Sequence, residues 1–357
     1  MQKYIIFIGS LKKGGAERNA ANLANHLINI GHEVNIVLLE EVIDFYVDPS
    51  INIIKINHKK YKNNLLNTLY VIIKLRLIIN KIKPYRLIAM SRIGSLLASS
   101  VLYKGTVVRF DSYPLAFKRY KQLQFWVLFN MPWVKYIVCP SQEMREDVSK
   151  YIANKKKLVT IYNPVPLPLA STSNQDLNRI SNPYFVVVAR LHAQKRVANI
   201  IDTYYKYNLF DKANLMILGD GPEMQALQNK VKGLNLNGKV YFKGFVKNPY
   251  PFMSDAIALI QASVREGFPN VLIESLALGT PVIASEAKTG PKEIVKNGLN
   301  GFTFRVEDYT RLGELMRKIV DEPIIYNELI DNVHNGLERF SSEKVLSKWY
   351  KILVPTP

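Results

Sequence analysis

YIIFIGSLKKGGAERNAANLANHLINIGHEVNIVLL, residues 4–39, decides the fold of the first half of the chain. YIIFIG (Tyr4–Gly9) is an apolar, β-rich run, and SLKKGGAE is a glycine-bearing turn. RNAANLANHLINIG reads as a helix ending at Gly31, and HEVNIVLL as the next strand. A strand, a helix and a second strand in that order imply a parallel sheet covered by helices. Further short apolar runs continue it: INIIKI (51–56), RLIAMS (86–91), TVVRF (106–110) and YIVCPS (136–141). The last leads into a polar helix from about Gln142, with Ser141 placed to cap it.

The grammar changes at IYNPVPLPLASTSNQDLNRISNP (161–183), whose prolines and polar stretch mark a linker. Strand–helix alternation then restarts: YFVVVARL, a helix from about Val197, ANLMILGDGP, a helix near Pro222–Lys232, KVYFKG, DAIALIQAS, NVLIESLALG and TPVIASE. The expectation is two parallel α/β domains with a ligand-binding cleft between the carboxyl ends of their sheets. Their boundaries fall at 1–165 and 166–340, with 341–357 a terminal helix packing back towards the first domain.

A chain of 357 residues suits two domains. With 48% hydrophobic and 22% charged residues it is globular in composition, not disordered. A single cysteine, Cys139, excludes an intramolecular disulfide and fits a reducing compartment. The opening KYIIFIG is too short for a signal core or a membrane span and reads as a buried first strand. The net charge of +19 is unevenly divided. Residues 1–165 hold 25 Lys and Arg against 10 Asp and Glu, whereas the remainder holds 23 against 19. Between Lys59 and Lys121 stand 14 basic residues and one acid, Asp111. That half is expected to face a polyanion or an anionic membrane. A generally basic, Lys-, Asn- and Ile-rich proteome would give the same excess.

Two segments of the basic half are apolar as well as cationic. YKNNLLNTLYVIIKLRLIINKIKPYR (61–86) has apolar positions nearly all round a helix, so part of it must be buried. FKRYKQLQFWVLFNMPWVKY (117–136) combines Trp126, Phe129 and Trp133 with Lys118, Arg119 and Lys121, the make-up of an interfacial helix. Neither has the apolar length of a span.

The chemistry concentrates in the second half. VVVARLHAQKR ends a strand at Arg190 and places Lys195 before a helix, where cations and helix amides together favour phosphate. LGDGPEM (218–224) closes the next strand with a tight glycine turn, which serves close backbone approach or a plain turn equally well. QASVREGFPNVLIESLALGTPVIAS (261–285) reads as strand, loop, helix and strand, with the helix starting near Asn270. Its first amides attract an anion. Glu266 lies on the loop across the helix mouth and Glu274 one turn inside. Two carboxylates beside an anion make sense if they accept hydrogen bonds from neutral hydroxyls flanking it. A nucleoside diphosphate sugar has that shape.

Arg190 and Lys195 at a strand–helix junction, then GDGP, EGFPNVLIE, GTPVIAS and GPKEIV followed by NGF, in this order, resemble the family 4 retaining glycosyltransferases of GT-B fold. The GGAER turn (Gly14–Arg18) and IYNPV resemble that family too. The resemblance implies an α/β chain of two Rossmann-like domains facing each other across a cleft, with the donor held by the second. Glu274 would bond the ribose and Glu266 the donor sugar, while Arg190 and Lys195 would neutralise the diphosphate. Gly267, Phe268, Pro269, Asn270 and Val271 would form the helix mouth, and Gly244, Phe245 and Val246 the nucleobase loop. Gly15 would approach the phosphates from the first domain. Arg18, Arg109 and Asp111 would serve the acceptor side, Asp111 orienting or deprotonating its hydroxyl; a turn-capping aspartate is the plainer reading of it. One departure stands out: Arg196 occupies a position where members often have glycine.

The expected activity is metal-independent, retaining transfer of a hexose or N-acetylhexosamine from a nucleotide sugar, UDP-linked, to a glycan on a lipid carrier. No cofactor is expected. The partners are the nucleotide sugar, the lipid-linked acceptor and an anionic membrane met by the basic half, not nucleic acid. The location would be cytoplasmic, peripheral on the inner face of the membrane. A sugar-nucleotide epimerase of GT-B fold and a non-enzymatic basic binding module are the alternatives.

Overall fold

The computed structural model describes residues 1–12, 14–57, 64–110, 119–165 and 182–354, without the side chains of residues 119–122 and 125. The linker residues 166–181 and Asp111 therefore lie outside the described residues. The chain forms two compact units, Met1–Pro164 with Glu343–Pro357, and Val165–Ser342.

The first unit alternates strands and helices: β1 Lys3–Ile8, α1 Gly15–Asn29, β2 Glu33–Leu38, β3 Asn52–Lys55, α2 Asn64–Ile82 and β4 Arg86–Ala89. It continues with α3 Arg92–Ser100, β5 Thr106–Arg109, α4 Arg119–Asn130, β6 Val134–Cys139, α5 Gln142–Ser149 and β7 Leu158–Thr160. All pairings in its seven-stranded sheet are parallel, in the order β3-β2-β1-β4-β5-β6-β7. Parallel strands need crossovers, which cover both faces, so β1 is apolar and buried without a break from Tyr4 to Ile8 instead of alternating. Its Tyr4, Ile6 and Ile8 point to one face. Ile5 and Phe7 point to the other, against Val71, Leu75 and Ile79 of α2. Ser141 caps α5, its Oγ accepting from the Met144 amide at 3.1 Å.

The second unit holds β8 Tyr184–Val188, α6 Val197–Lys206, β9 Asn214–Leu218, α7 Met224–Gly233, β10 Val240–Gly244, α8 Tyr250–Ser254 and β11 Ala258–Gln261. It ends with α9 Asn270–Ala277, β12 Val282–Ser285, α10 Pro291–Ile294, β13 Gly301–Phe304, α11 Tyr309–Asp321 and α12 Pro323–Asp331. Its six strands are again all parallel, ordered β10-β9-β8-β11-β12-β13.

The last helix, α13 Ser342–Leu353, returns to the first unit. Val345, Trp349 and Leu353 join the core built on Tyr4, Ile6 and Ile8, and Tyr4 Oη donates to the Leu353 carbonyl at 3.2 Å. Trp349 is 3% exposed, so the first core is finished by the end of the chain. Trp349→Ala should cost about 3–5 kcal/mol, read by urea denaturation as an earlier transition of the first unit. An unchanged midpoint would mean that α13 does not hold that core.

The two aromatic-rich segments resolve differently. Phe129 is buried, Trp126 stacks on Tyr151 with ring centroids 4.4 Å apart, and Trp133 Nε1 donates to the Ser99 carbonyl at 2.7 Å. These three rings serve the domain, because each finds a protein surface to cover its apolar body. Lys118 and the side chains of Arg119 and Lys121 lie outside the described residues. α2, by contrast, buries one face and leaves the other open. No described helix is long and apolar enough to cross a membrane.

Candidate active site

β8 and β11 pair directly, Ala258 opposite Phe185, and the chain order of the second sheet reverses between them. Crossovers leave in opposite directions at such a point and open a space above the strand ends, where α/β sheets bind ligands. The loops after β8 and β11 carry Lys195 and Glu266.

The loop after β8 is held tightly. The Leu191 amide donates to Asp220 at 2.9 Å, and the Glu223 amide to Leu191 at 3.1 Å. A Cβ on Gly219 would lie 1.7 Å from the Ala189 carbonyl oxygen, and one on Gly221 would lie 2.4 Å from that of Leu191. Both glycines of LGDGPEM therefore serve close backbone approach, against the chain's own Ala189–Leu191. A 3-10 turn, Ala193–Lys195, follows, and Arg196 joins it to α6 with φ 54° and ψ 33°. That is the left-handed conformation glycine adopts most readily, which accounts for the residue type expected there. In this chain Arg196 takes it and pairs with Glu307 at 2.6 Å.

The loop after β11 is anchored to the first by the Val264 amide, which donates to the Gln194 carbonyl at 2.9 Å. The Glu266 amide donates to Lys288, Thr289 Oγ1 donates to the Gly267 carbonyl at 2.8 Å, and Phe268 packs on Phe340 with centroids 5.8 Å apart. These ties bring the side chains together. Lys195 Nζ donates to Glu266 Oε1 at 2.6 Å, and Gln261 Nε2 donates to the same oxygen at 3.2 Å. The lysine side chain is 17% exposed and the glutamate 10%. Glu266 Oε2 makes no hydrogen bond or ion pair among the described residues.

α9 starts at Asn270 behind Pro269, and no side chain caps it. The Leu272 amide turns back to the Pro269 carbonyl at 3.1 Å, which shapes the helix mouth that follows the Glu266 loop. Glu274 is buried one turn inside α9. Arg190 is exposed just past β8 and makes no ion pair or hydrogen bond through its side chain among the described residues. Gly244 ends β10 at φ 65°, its carbonyl accepting from the Gly219 amide at 2.7 Å, and Phe245 beyond it is 54% exposed. Val246 is half-buried in the same loop. The positions expected to form a nucleobase loop thus adjoin the glycine turn after β9.

In the first unit, Gly15 opens α1 and Arg18 is half-buried one turn further on. Arg109 is buried at the end of β5, and its guanidinium donates to Asn163 Oδ1. It therefore tethers the segment leading out of β7. Asp111 lies outside the described residues.

Sequence reading passed over three residues. Gln261 is a polar side chain ending an apolar strand, and that break was its signal. Thr289 braces the Glu266 loop from a distant segment and gave no local signal. Asn19 is 4% exposed in α1, with neither side-chain polar atom hydrogen-bonded among the described residues. Among the described residues, no group of three or more His, Cys, Asp and Glu is placed to hold a metal ion.

The models of two glycosyltransferase families match almost the whole chain: Glycosyltransferase Family 4 over residues 13–168 and Glycosyl transferases group 1 over residues 172–335. This chain belongs to the family 4 glycosyltransferases. An uncharacterised glycosyltransferase of Methanocaldococcus jannaschii is 29% identical to this glycosyltransferase over 61% of its chain and 63% of that protein. A Campylobacter jejuni N-acetylgalactosamine-N,N'-diacetylbacillosaminyl-diphospho-undecaprenol 4-alpha-N-acetylgalactosaminyltransferase is 25% identical over 99% of this chain and all of that one. Among solved structures, Anabaena HepE in complex with UDP-glucose superposes with a TM-score of 0.84 at 18% identity, over 99% of each chain. The lipopolysaccharide outer core galactosyltransferase WaaB does so with 0.77 at 18%, over 99% of each. The fold is GT-B, two Rossmann-like parallel-sheet domains.

The left-handed Arg196 gives a test of the loop. Its ion pair is exposed and worth less than about 1 kcal/mol. Arg196→Gly should therefore stay within about 1 kcal/mol of the wild type. Arg196→Val, β-branched at positive φ, should lose about 2 kcal/mol. Denaturation midpoints ranking Val above Gly would show that the turn is not left-handed.

Proposed function

We propose that this glycosyltransferase moves a hexose or N-acetylhexosamine from a UDP-sugar to a glycan carried on a membrane lipid, with retention at the anomeric carbon and without a metal. The observation that carries the reading is the Lys195–Glu266–Gln261 cluster at the switch point, beside the uncapped start of α9. The relatives support the substrate class: the Campylobacter protein is named for an undecaprenol-linked acceptor, and HepE was solved in complex with UDP-glucose. None of the relatives described above is an epimerase, and that alternative is not carried further.

Breaking the anomeric C–O bond leaves negative charge on the departing diphosphate. Lys195, Arg190 and the amides at Asn270 and Val271 are placed before the reaction and gain most as that charge grows. Lys195 has spent one of its three N–H donors on Glu266, which leaves two for phosphate oxygens. Glu266, already neutralised by that lysine, accepts from a sugar hydroxyl through Oε2 without repelling the diphosphate. Glu274 is assigned to the ribose, and Phe245, exposed at the end of β10, to the face of the base. Gly15 approaches the phosphates. Arg18 and Asp111 are assigned to the acceptor, whereas Arg109, buried and bonded to Asn163, holds the segment leading out of β7. Same-face attack, with the leaving phosphate taking the acceptor proton, gives retention without a protein nucleophile. The setting is the inner face of the cytoplasmic membrane, where the lipid-linked acceptor meets its nucleotide sugar.

Lys195→Ala should lower kcat/KM by about 100- to 1000-fold with the fold retained by circular dichroism. Wild-type turnover should survive EDTA, and NMR should show the donor's anomeric configuration in the product. Near wild-type activity of Lys195→Ala, or no binding of any nucleoside diphosphate sugar by calorimetry, would sink the assignment. An inverted product would refute retention alone.

A further inference from the structure

α2 is apolar on two opposite faces. Val71, Leu75 and Ile79 are buried against the sheet. At 100° per residue, Leu66, Leu69, Ile73 and Leu77 fall within a sector of about 80° on the opposite side. They are 49%, 48%, 59% and 54% exposed. A row of four half-exposed aliphatic side chains on one helix is more than the scattered apolar surface of a water-facing helix. Lys74 and Lys81 flank the row on one side and Arg76 on the other.

The foot of the same helix leads to a cavity. Ile82 ends α2, and Lys83–Pro84 runs into Tyr85 on the cavity wall. Arg76 Nη1 donates to the Val101 carbonyl at 2.8 Å, which ties α2 to the segment holding Leu102. The cavity is about 530 Å3 and includes Tyr85, Arg86, Leu102, Lys104, Trp133 and Lys135 in its lining. No carboxylate lines it. Arg86 stacks over the Tyr85 ring, 4.0 Å to the centroid, and its buried Nε makes no hydrogen bond among the described residues. Lys104 and Lys135 form no ion pair among the described residues. These residues sit where β4, β5 and β6 begin, the end of the sheet away from the strand carboxyl ends. The cavity is therefore no part of the site described above.

We infer that the outer face of α2 and the cationic cavity at its foot seat the enzyme on an anionic phospholipid bilayer. Leu66, Leu69, Ile73 and Leu77 enter the acyl boundary, and the cavity takes a lipid phosphate. Charge selects this occupant. From residue 49 to residue 110 the chain has twelve Lys and Arg and no Asp or Glu, so a second copy presenting the same face would be repelled. An anionic bilayer attracts it and offers the apolar layer that the row needs. The inference rests on the lipid-linked acceptor proposed above and moves the membrane contact from the 117–136 segment, whose rings are spent inside the domain, to α2.

The test is sedimentation of the full chain with vesicles of phosphatidylglycerol and phosphatidylethanolamine, against vesicles of phosphatidylcholine alone. Wild type should bind the anionic vesicles preferentially, and added salt should weaken binding. Leu69→Gln/Ile73→Gln/Leu77→Gln should weaken binding by about tenfold or more, with thermal unfolding and UDP affinity unchanged. Lys104→Glu/Lys135→Glu should remove the preference for anionic lipid. Ile73→Trp should add an emission that blue-shifts on binding and is quenched by brominated acyl chains. Undiminished binding by the triple variant, or no quenching at position 73, overturns the inference. So does a lipid-free dimer that the triple variant dissolves. UDP binding without vesicle binding refutes this surface alone, whereas vesicle binding without UDP binding refutes the donor assignment alone.

Discussion

Parallel pairing is the constraint on which the rest depends. A parallel strand cannot be followed by its neighbour through a short hairpin, so each connection must cross a face of the sheet as a helix. Both faces are thereby buried, and every strand delivers its outgoing loop to the same edge. In the second unit this places the loops after β8, β9, β10, β11 and β12 together, though they come from residues 189 to 290. The reversal of order between β8 and β11 then decides which two loops share an open space. Lys195 and Glu266, 71 positions apart, meet at 2.6 Å for that reason.

Placement at an edge does not by itself fix a side chain to a fraction of an ångström. Here it comes from backbone contacts that admit no alternative residue. Gly219 and Gly221 let the turn after β9 lie against Ala189–Leu191, so the loop after β8 is pressed from one side. The Gln194–Val264 hydrogen bond holds it from the other. Between these two restraints the chain must reverse sharply into α6, and Arg196 accepts a left-handed conformation to do so. The strain of about 1–2 kcal/mol sits one residue from the lysine it positions.

What the sequence made legible follows from whether the cause was local. The start of α9 at Asn270, the start of α6 at Val197 and the Ser141 cap are governed by residues a few positions apart, and each reads directly from the chain. The order of motifs across the second half carried the family. What stayed hidden depends on partners distant in sequence. Arg109 reads as a strand-end cation, and only the fold reveals that Asn163 receives it. Trp126, Phe129 and Trp133 read as an interfacial set because composition does not say which surface a ring covers. The same holds for α2: apolar positions all round a helix required that some be buried but could not say which face the sheet would take.

The Lys195–Glu266 pair also resolves an electrostatic difficulty. A carboxylate beside a binding site for a diphosphate would oppose its own ligand if it carried its full charge there. Paired at 2.6 Å with a largely buried lysine, it presents a nearly neutral dipole with one oxygen still able to accept a hydrogen bond. The lysine gains a fixed position from the same contact and keeps donors pointed elsewhere. An isolated lysine would have to surrender rotamer freedom on binding, at a cost of up to about 2 kcal/mol. Here that ordering is complete before a ligand arrives. The acid therefore holds the cation in place, and under the proposed donor assignment the pair would leave an approaching phosphate no net negative charge to overcome.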